Sequence, residues 1–227
     1  MASPDLQTQY RSASENTLAV WAENKGTGKI REENYYDPLK LSLAAGIRPA
    51  ATSSVSRLLG ELEQLTRDDP LADALPAQGL HFTFLPLTLP LYDAGEPLPA
   101  KVEQLKSIWT GFDGKKIAIR DLRLVALPSQ LLLAGIPDHP AIALRQRFCE
   151  KVLESDWRNE LLMRHAHSPL PAPFWHSTLL RYGAAFLPAP LRQFFMAYQS
   201  VNVGDIAGEL TLAKVNYNWT TCCSLAS

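Results

Sequence analysis

The sequence predicts a fold of mixed helices and strands that is built from two similar half-units. The chain has 227 residues, 46% of them hydrophobic and 20% charged, which suits one large globular domain or two small lobes that share a core. The order strand, helix, strand, helix, strand occurs twice along it. The middle strand of each half carries a His-x-Thr sequence, at 81–83 and at 176–178.

The first strand of each half ends in the same way. LSLAAGI at 41–47 and LLLAGI at 131–136 are each apolar enough for a buried strand, and each ends in Gly-Ile before a turn. Both turns contain a proline, Pro49 in the first half and Pro137 in the second. These segments therefore begin two comparable units.

A helix with one apolar face follows each first strand. The faces repeat at spacings of three and four after helix-starting signals, which are Thr52 to Ser54 in the first half and Pro140 in the second. The apolar positions are Val55, Leu58, Leu59, Leu62 and Leu65, and Leu144, Phe148 and Val152. We expect both faces to pack on a sheet.

The remaining elements complete each half in the same order. Helices with a proline in their first turn are predicted from Leu98 and from Pro188, and single closing strands from Ile117 and from Ile206. Pro128 and Ser129 mark the join, so the lobes comprise about 39–127 and 130–217 of a domain at 39–227. The polar residues 1–38 form an N-terminal extension, either an arm or lid or a loosely packed segment.

Composition limits the possible partners and location. A net charge of −1 argues against a protein that coats nucleic acid through bulk electrostatics, although a local positive pocket for a small anion is compatible with it. No apolar run is long enough for a membrane span and the start lacks a secretory pattern, so we expect a cytoplasmic protein. We also expect a monomer. Cys149, Cys222 and Cys223 form neither a disulfide framework nor a CxxC clamp.

The two His-x-Thr sequences indicate phosphate chemistry. Side chains at i and i+2 of a strand point to one face, about 6.6 Å apart, so each sequence presents an imidazole with a hydroxyl. If the two strands lie side by side, His81, Thr83, His176 and Thr178 surround one cavity. The hydroxyls can donate to non-bridging phosphate oxygens, and two imidazoles can divide the acid and base roles without a metal ion or cofactor.

These residues resemble the motifs of the two-histidine (2H) phosphoesterase superfamily. LHFTFLPL is similar to its first motif, and FWHSTLLR is similar to the second motif of its 2'-5' RNA ligase-like, cyclic phosphodiesterase branch, including Arg181. The resemblance implies a bilobed α+β fold, with an antiparallel sheet and outer helices in each lobe and a cleft between the lobes. It also implies that His81 and His176 are the acid–base pair.

By the same resemblance Thr83 and Thr178 hold the phosphate, no metal is needed, and the substrate is a nucleotide or RNA end with a cyclic or 2'-5' phosphodiester. The sequence departs from the pattern at Ser177, where a hydrophobic residue is usual; we expect a wetter strand face there, or a bond from Ser177 to the backbone. Arg181 lies five residues after His176, so strict alternation directs it away from the cleft unless the strand bends.

Two other readings stay open at this point. The same motifs suit a binding module that recognises a phosphorylated nucleotide or RNA end without hydrolysing it. A zinc-dependent hydrolase would use His165, His167 and the pair Asp138-His139, but their spacing is a weak signal for a zinc site and SPLPAP predicts a loop with solvated histidines.

Several aromatic residues could stack on a base or belong to the core, namely Trp175, Tyr182, Tyr92, Tyr35 and Tyr36.

Overall fold

The computed structural model describes residues 5–225, so residues 1–4 of the predicted extension and residues 226–227 lie outside the described part. The helices are α1 Leu6–Glu23, α2 Ser53–Thr66, α3 Val102–Trp109, α4 His139–Leu153, α5 Arg158–Arg164 and α6 Ala189–Tyr198. The strands are β1 Ser42–Ile47, β2 Ala72–Ala74, β3 Phe82–Pro86, β4 Lys116–Leu127, β5 Gln130–Pro137, β6 His176–Tyr182, β7 Ile206–Glu209, β8 Thr211–Val215 and β9 Cys222–Ser224.

The strands form two antiparallel sheets, which confirms the predicted α+β fold class. One sheet has the order β3-β1-β8-β9 and the other has the order β2-β6-β5-β4-β7. Each sheet contains strands from both halves of the sequence, because β8 and β9 join the sheet of β1 while β2 and β4 join the sheet of β6. The chain therefore crosses between the sheets several times.

The closing strand of the second half is two strands and not one. β7 pairs with β4 in the five-stranded sheet, whereas β8 pairs with β1 in the four-stranded sheet. Leu210 lies between them, buried, with its N–H donating to the carbonyl of Lys115. The prediction of one strand from Ile206 was wrong because alternating apolar residues do not reveal a change of partner strand.

Helix α1, within the predicted N-terminal extension, packs against the five-stranded sheet. Its buried residues are Tyr10, Thr17 and Trp21. Each donates one hydrogen bond to a backbone carbonyl near the hairpin of β4 and β5: Tyr10 to Gly135 at 3.0 Å, Thr17 to Ala126 at 2.9 Å and Trp21 to Pro128 at 3.0 Å. These bonds fix the position of the helix along the sheet.

One apolar core connects the sheets and brings β3 near β6. The ring of Phe84 on β3 lies 5.9 Å from that of Trp175, the residue before β6, and 6.2 Å from that of Phe148 on α4. All three side chains are buried. Between residues 5 and 225 we find no helix with the length and apolar character that a membrane span requires.

Candidate active site

The two His-x-Thr sequences line the same cavity. Its volume is about 230 Å³, and its wall includes His81 and Thr83 from the β3 side and His176 and Thr178 from β6. His81 is buried and His176 is half-buried. The structure thus brings together the four motif residues that the sequence singled out.

A β-bulge follows each motif at the same position. Opposite β1, the pairing jumps from Thr83 to Leu85 and leaves Phe84 as an extra residue. Opposite β5, it jumps from Thr178 to Leu180 and leaves Leu179 extra. A bulge shifts the alternation of side chains by one residue, so the residue three places after each threonine returns to the face of that threonine.

Arg181 therefore lines the cavity, and strict alternation gives the wrong direction for it. Its guanidinium lies over the rings of Tyr36 at 5.3 Å and Tyr217 at 5.1 Å, and Nη1 is 3.8 Å from Oδ2 of Asp73. Tyr217 donates a 3.0 Å hydrogen bond to the same carboxylate. The corresponding residue of the first motif is Pro86, so the two half-sites differ in charge.

The surroundings of His81 fix the position of its proton. Nδ1 lies 2.7 Å from the carbonyl oxygen of Gly79, which can only accept, so the neutral ring carries its proton on Nδ1 and keeps a lone pair on Nε2. The indole of Trp219 stacks on the ring at 5.1 Å with an interplanar angle of 12°. A Cβ on Gly46 would come within 2.7 Å of that indole, so glycine permits the stack.

Both histidines are neutral at pH 7 in this structure. Burial lowers the pKa of His81 to about 3, and the positive charge of Arg181 adds to this effect. Burial also lowers the pKa of His176 to about 4, with contributions from Arg181 and Arg145. Nδ1 of His176 has no hydrogen-bond partner among residues 5–225.

The residues proposed for zinc are dispersed. His165 is buried, with Nε2 3.1 Å from the carbonyl of Pro86 and Nδ1 3.2 Å from the hydroxyl of Ser168, whereas His167 is exposed. The prediction of a solvated His165 was wrong because its loop packs on the end of β3. Asp138 caps α4. In the described part of the chain no three His, Cys, Asp or Glu side chains are grouped to hold a metal ion.

Neither expectation for Ser177, a wetter strand face or a hydrogen bond to the backbone, is met. Its side chain is fully buried and its hydroxyl has no hydrogen-bond partner within residues 5–225. It lies opposite Leu133 of β5, on the face that turns away from the cavity and toward the core. The strand face at this position is dry.

The aromatic candidates separate into two groups. Tyr36 lines the cavity, whereas Trp175 is in the core and Tyr182 donates to Asp69 away from the cavity. Tyr92 is only half-buried and packs against the core, and Tyr35 is hydrogen-bonded to Ser129. Among the cavity residues that the sequence analysis missed are Trp219, Tyr217, Arg145 and Arg164. For Arg145 a signal existed, since it lies on the apolar face of α4.

No protein-family model matches the chain, and no curated protein matches its sequence. Similar solved structures include the E. coli LigT complexed with 3'-AMP, a protein described as a phosphoesterase, and TT0787 of Thermus thermophilus. Their sequence identities are 17%, 16% and 15%, and their TM-scores are 0.48, 0.49 and 0.46. The matches cover 83%, 82% and 81% of this chain and 96%, 95% and 94% of the other chains.

Proposed function

We propose that this chain belongs to the two-histidine phosphoesterase superfamily and hydrolyses a cyclic or 2'-5' phosphodiester of a nucleotide or RNA end. The observation that supports this most directly is the shared cavity, where two imidazoles and two hydroxyls meet beside an arginine. Among residues 5–225, the cavity wall contains no Asp or Glu. Such a wall suits an anionic substrate.

In the proposed complex the phosphate is held by Thr83, Thr178 and Arg181. The hydroxyls donate to the non-bridging oxygens, where charge increases as phosphorus becomes five-coordinate. Arg181 supplies a fixed positive charge, and the two tyrosine rings and Asp73 hold its guanidinium in place before substrate arrives. Because Arg181 is already ordered, substrate binding does not have to offset the entropy cost of ordering its side chain.

The two histidines divide the proton transfers. Nε2 of His81 takes a proton from water as the water oxygen bonds to phosphorus, because the Nδ1 bond to Gly79 keeps that lone pair available. The bond from phosphorus to the ribose oxygen breaks, its electron pair stays on that oxygen, and protonated His176 supplies the proton. The products are a phosphomonoester and a free hydroxyl.

The acid form of His176 depends on the substrate. Burial and the positive charge of Arg181 keep its pKa low in this structure, whereas a phosphate anion in the cavity would raise it. We therefore expect a bell-shaped dependence of kcat on pH, because the complex needs one neutral and one protonated imidazole.

The test uses adenosine 2',3'-cyclic phosphate and a 2'-5' dinucleotide in excess EDTA. His81→Ala and His176→Ala should each lower kcat by about 10²- to 10⁴-fold, whereas the exposed His167→Ala should retain the wild-type rate. Full activity in either cavity variant would contradict the roles assigned here. Tight binding of these compounds without product would instead indicate a binding module, and loss of activity in EDTA would favour the metal-dependent alternative.

A further inference from the structure

Arg145 is a charged residue at a core position of α4. It follows Ala141 and Leu144 on the apolar face and precedes Phe148, and only 7% of it is exposed. Arginine is almost never buried to this extent without a partner of opposite charge, since removing its charge from water costs several kcal/mol. Its position therefore calls for an explanation.

The described residues supply no carboxylate for it. Arg145 forms no ion pair within residues 5–225. Its guanidinium donates only long bonds of 3.4 Å, from Nη1 to the carbonyl of Phe174 and from Nη2 to that of Pro173, and it lies 3.9 Å above the ring of Trp175. Burial lowers its pKa to about 10, so it remains protonated at pH 7.

The guanidinium lies next to the candidate active site. Arg145 is part of the cavity wall, and Trp175 beneath it is the residue immediately before His176. Arg164, half-buried at the end of α5, lines the same cavity and also has no ion pair among residues 5–225. Arg181, on the same wall, contacts the rings of Tyr36 and Tyr217 and the carboxylate of Asp73.

We propose that Arg145 and Arg164 bind a second phosphate group of the substrate, in addition to the phosphodiester that the His-x-Thr residues hold. This inference rests on the proposed function and narrows the substrate class to phosphodiesters that carry a further phosphate. In the proposed complex the phosphodiester, which has a single negative charge, is already bound by Thr83, Thr178 and Arg181. A second phosphate would give the buried Arg145 the anionic partner that the chain does not provide.

The experiment compares three substrates that share one reacting group. They are adenosine 2',3'-cyclic phosphate, its 5'-phosphorylated form, and a dinucleotide ending in the same cyclic phosphate. The wild type should show a kcat/KM about 10-fold or more higher for a substrate with the second phosphate, since a charge-assisted contact contributes at that scale. If kcat/KM increases more for the 5'-phosphorylated nucleotide, the second group is a 5'-phosphomonoester. If it increases more for the dinucleotide, the second group is the preceding phosphodiester.

Matched variants locate the effect. Arg145→Gln and Arg164→Gln should each reduce the preference to about 2- to 3-fold while adenosine 2',3'-cyclic phosphate is still hydrolysed. Arg147→Gln removes the same charge from an exposed position on the same helix and should keep the full preference. If Arg145→Gln does not fold, the wild-type ratio and the half-buried Arg164→Gln variant still decide the question.

Equal kcat/KM for all three substrates, or a preference that persists in the variants, would overturn the second site and leave the proposed function intact.

If no substrate is hydrolysed, the proposed function fails, and calorimetry with adenosine 3'-phosphate and adenosine 3',5'-bisphosphate tests the site alone. Tighter binding of the bisphosphate that is lost in Arg164→Gln would support the site. Equal binding of both would overturn it.

Discussion

The ring of His81 is hydrogen-bonded to the carbonyl of Gly79 and stacks on the indole of Trp219. Gly46 on β1 leaves the space that this indole occupies. Trp219 has a positive φ of 57° and is 2% exposed, so its conformation is imposed by tertiary packing. Gly46 on β1 provides the space, with Phe82 O and the indole both 2.7 Å from where a Cβ would stand. The geometry of the histidine is thus set by three separate segments.

Gly46→Ala should displace Trp219 and disturb His81. We expect a loss of about 1 to 3 kcal/mol in the free energy of unfolding, measured with urea, because neither the carbonyl nor the buried indole can move freely. Gly60→Ala is the matched control: no atom lies within 4 Å of a Cβ there, and alanine in the interior of α2 should raise stability by up to about 1 kcal/mol. Equal stability of both variants would contradict the steric argument.

Stability should fall in mild acid because the folded state holds neutral histidines. The pKa of His81 is lowered to about 3, whereas an unfolded histidine binds its proton near pH 6.5, so below 6.5 the unfolded chain binds more protons. The free energy of unfolding should drop by about 2 kcal/mol for His81 between pH 7 and 5, and by less for the half-buried His176.

Urea unfolding at pH 7 and pH 5 measures this change. His81→Gln should have a shallower dependence on pH than the wild type, whereas substitution of the exposed His167 by Gln should leave the slope unchanged. A wild-type stability that stays constant over this interval would show that His81 is not kept neutral by burial.

At the level of secondary structure elements, α1 is connected to the second motif. The hydroxyl of Tyr10 donates to Gly135 O and accepts from the N–H of Trp175, each at 3.0 Å, so it joins β5 to the residue before β6. Its ring meets Phe174 edge-on at 4.8 Å, and Phe174 meets the ring of His176 edge-on at 6.3 Å. The helix therefore positions the start of the strand that carries His176.

Tyr10→Phe should lower kcat about 10-fold with little change in KM, because a small displacement of His176 misaligns the proton transfer. The N–H of Trp175 also loses its partner, which should cost about 1 to 3 kcal/mol of stability. Thr17→Val removes a comparable bond, to Ala126, from the same helix. The Thr17→Val variant should lose about 1 kcal/mol of stability and keep the wild-type kcat. If both variants have the same kcat, Tyr10 does not position His176.

For the whole molecule, the exchange of strands between halves makes each sheet depend on the entire chain. β8 of the second half lies beside β1 in the four-stranded sheet, and β4 of the first half lies between β5 and β7 in the five-stranded sheet. Residues of both sheets belong to one apolar core. Neither half can form its sheet without the other.

We therefore expect unfolding in one cooperative transition. Far-ultraviolet circular dichroism, which reports secondary structure, and tryptophan fluorescence, which reports packing, should give the same midpoint in urea. Two transitions separated by more than the error of the midpoints would show that the sheets unfold independently. Slow intermediates in refolding would not affect this equilibrium test.

Local patterns were sufficient for most elements. The spacing of Val55 to Leu65 and of Leu144 to Val152 predicted α2 and α4, and the Gly-Ile endings located β1 and β5, because these signals depend on neighbours along the chain. The single strand from Ile206 failed because pairing partners lie far away in sequence. α1 was not predicted: Tyr10, Thr17 and Trp21 have helical spacings of seven and four residues, but none of the three is aliphatic and polar residues surround them.

By itself, the sequence determined the residue types at the site and the repetition that makes His81, Thr83, His176 and Thr178 candidates, since side-chain chemistry and strand alternation are local properties. Only the tertiary structure decided which side chains share the cavity with them. The bulge at Leu179 turned Arg181 inward, and long-range packing brought Trp219 to the wall. Such placements arise from contacts between distant segments, and no pattern of neighbouring residues encodes them.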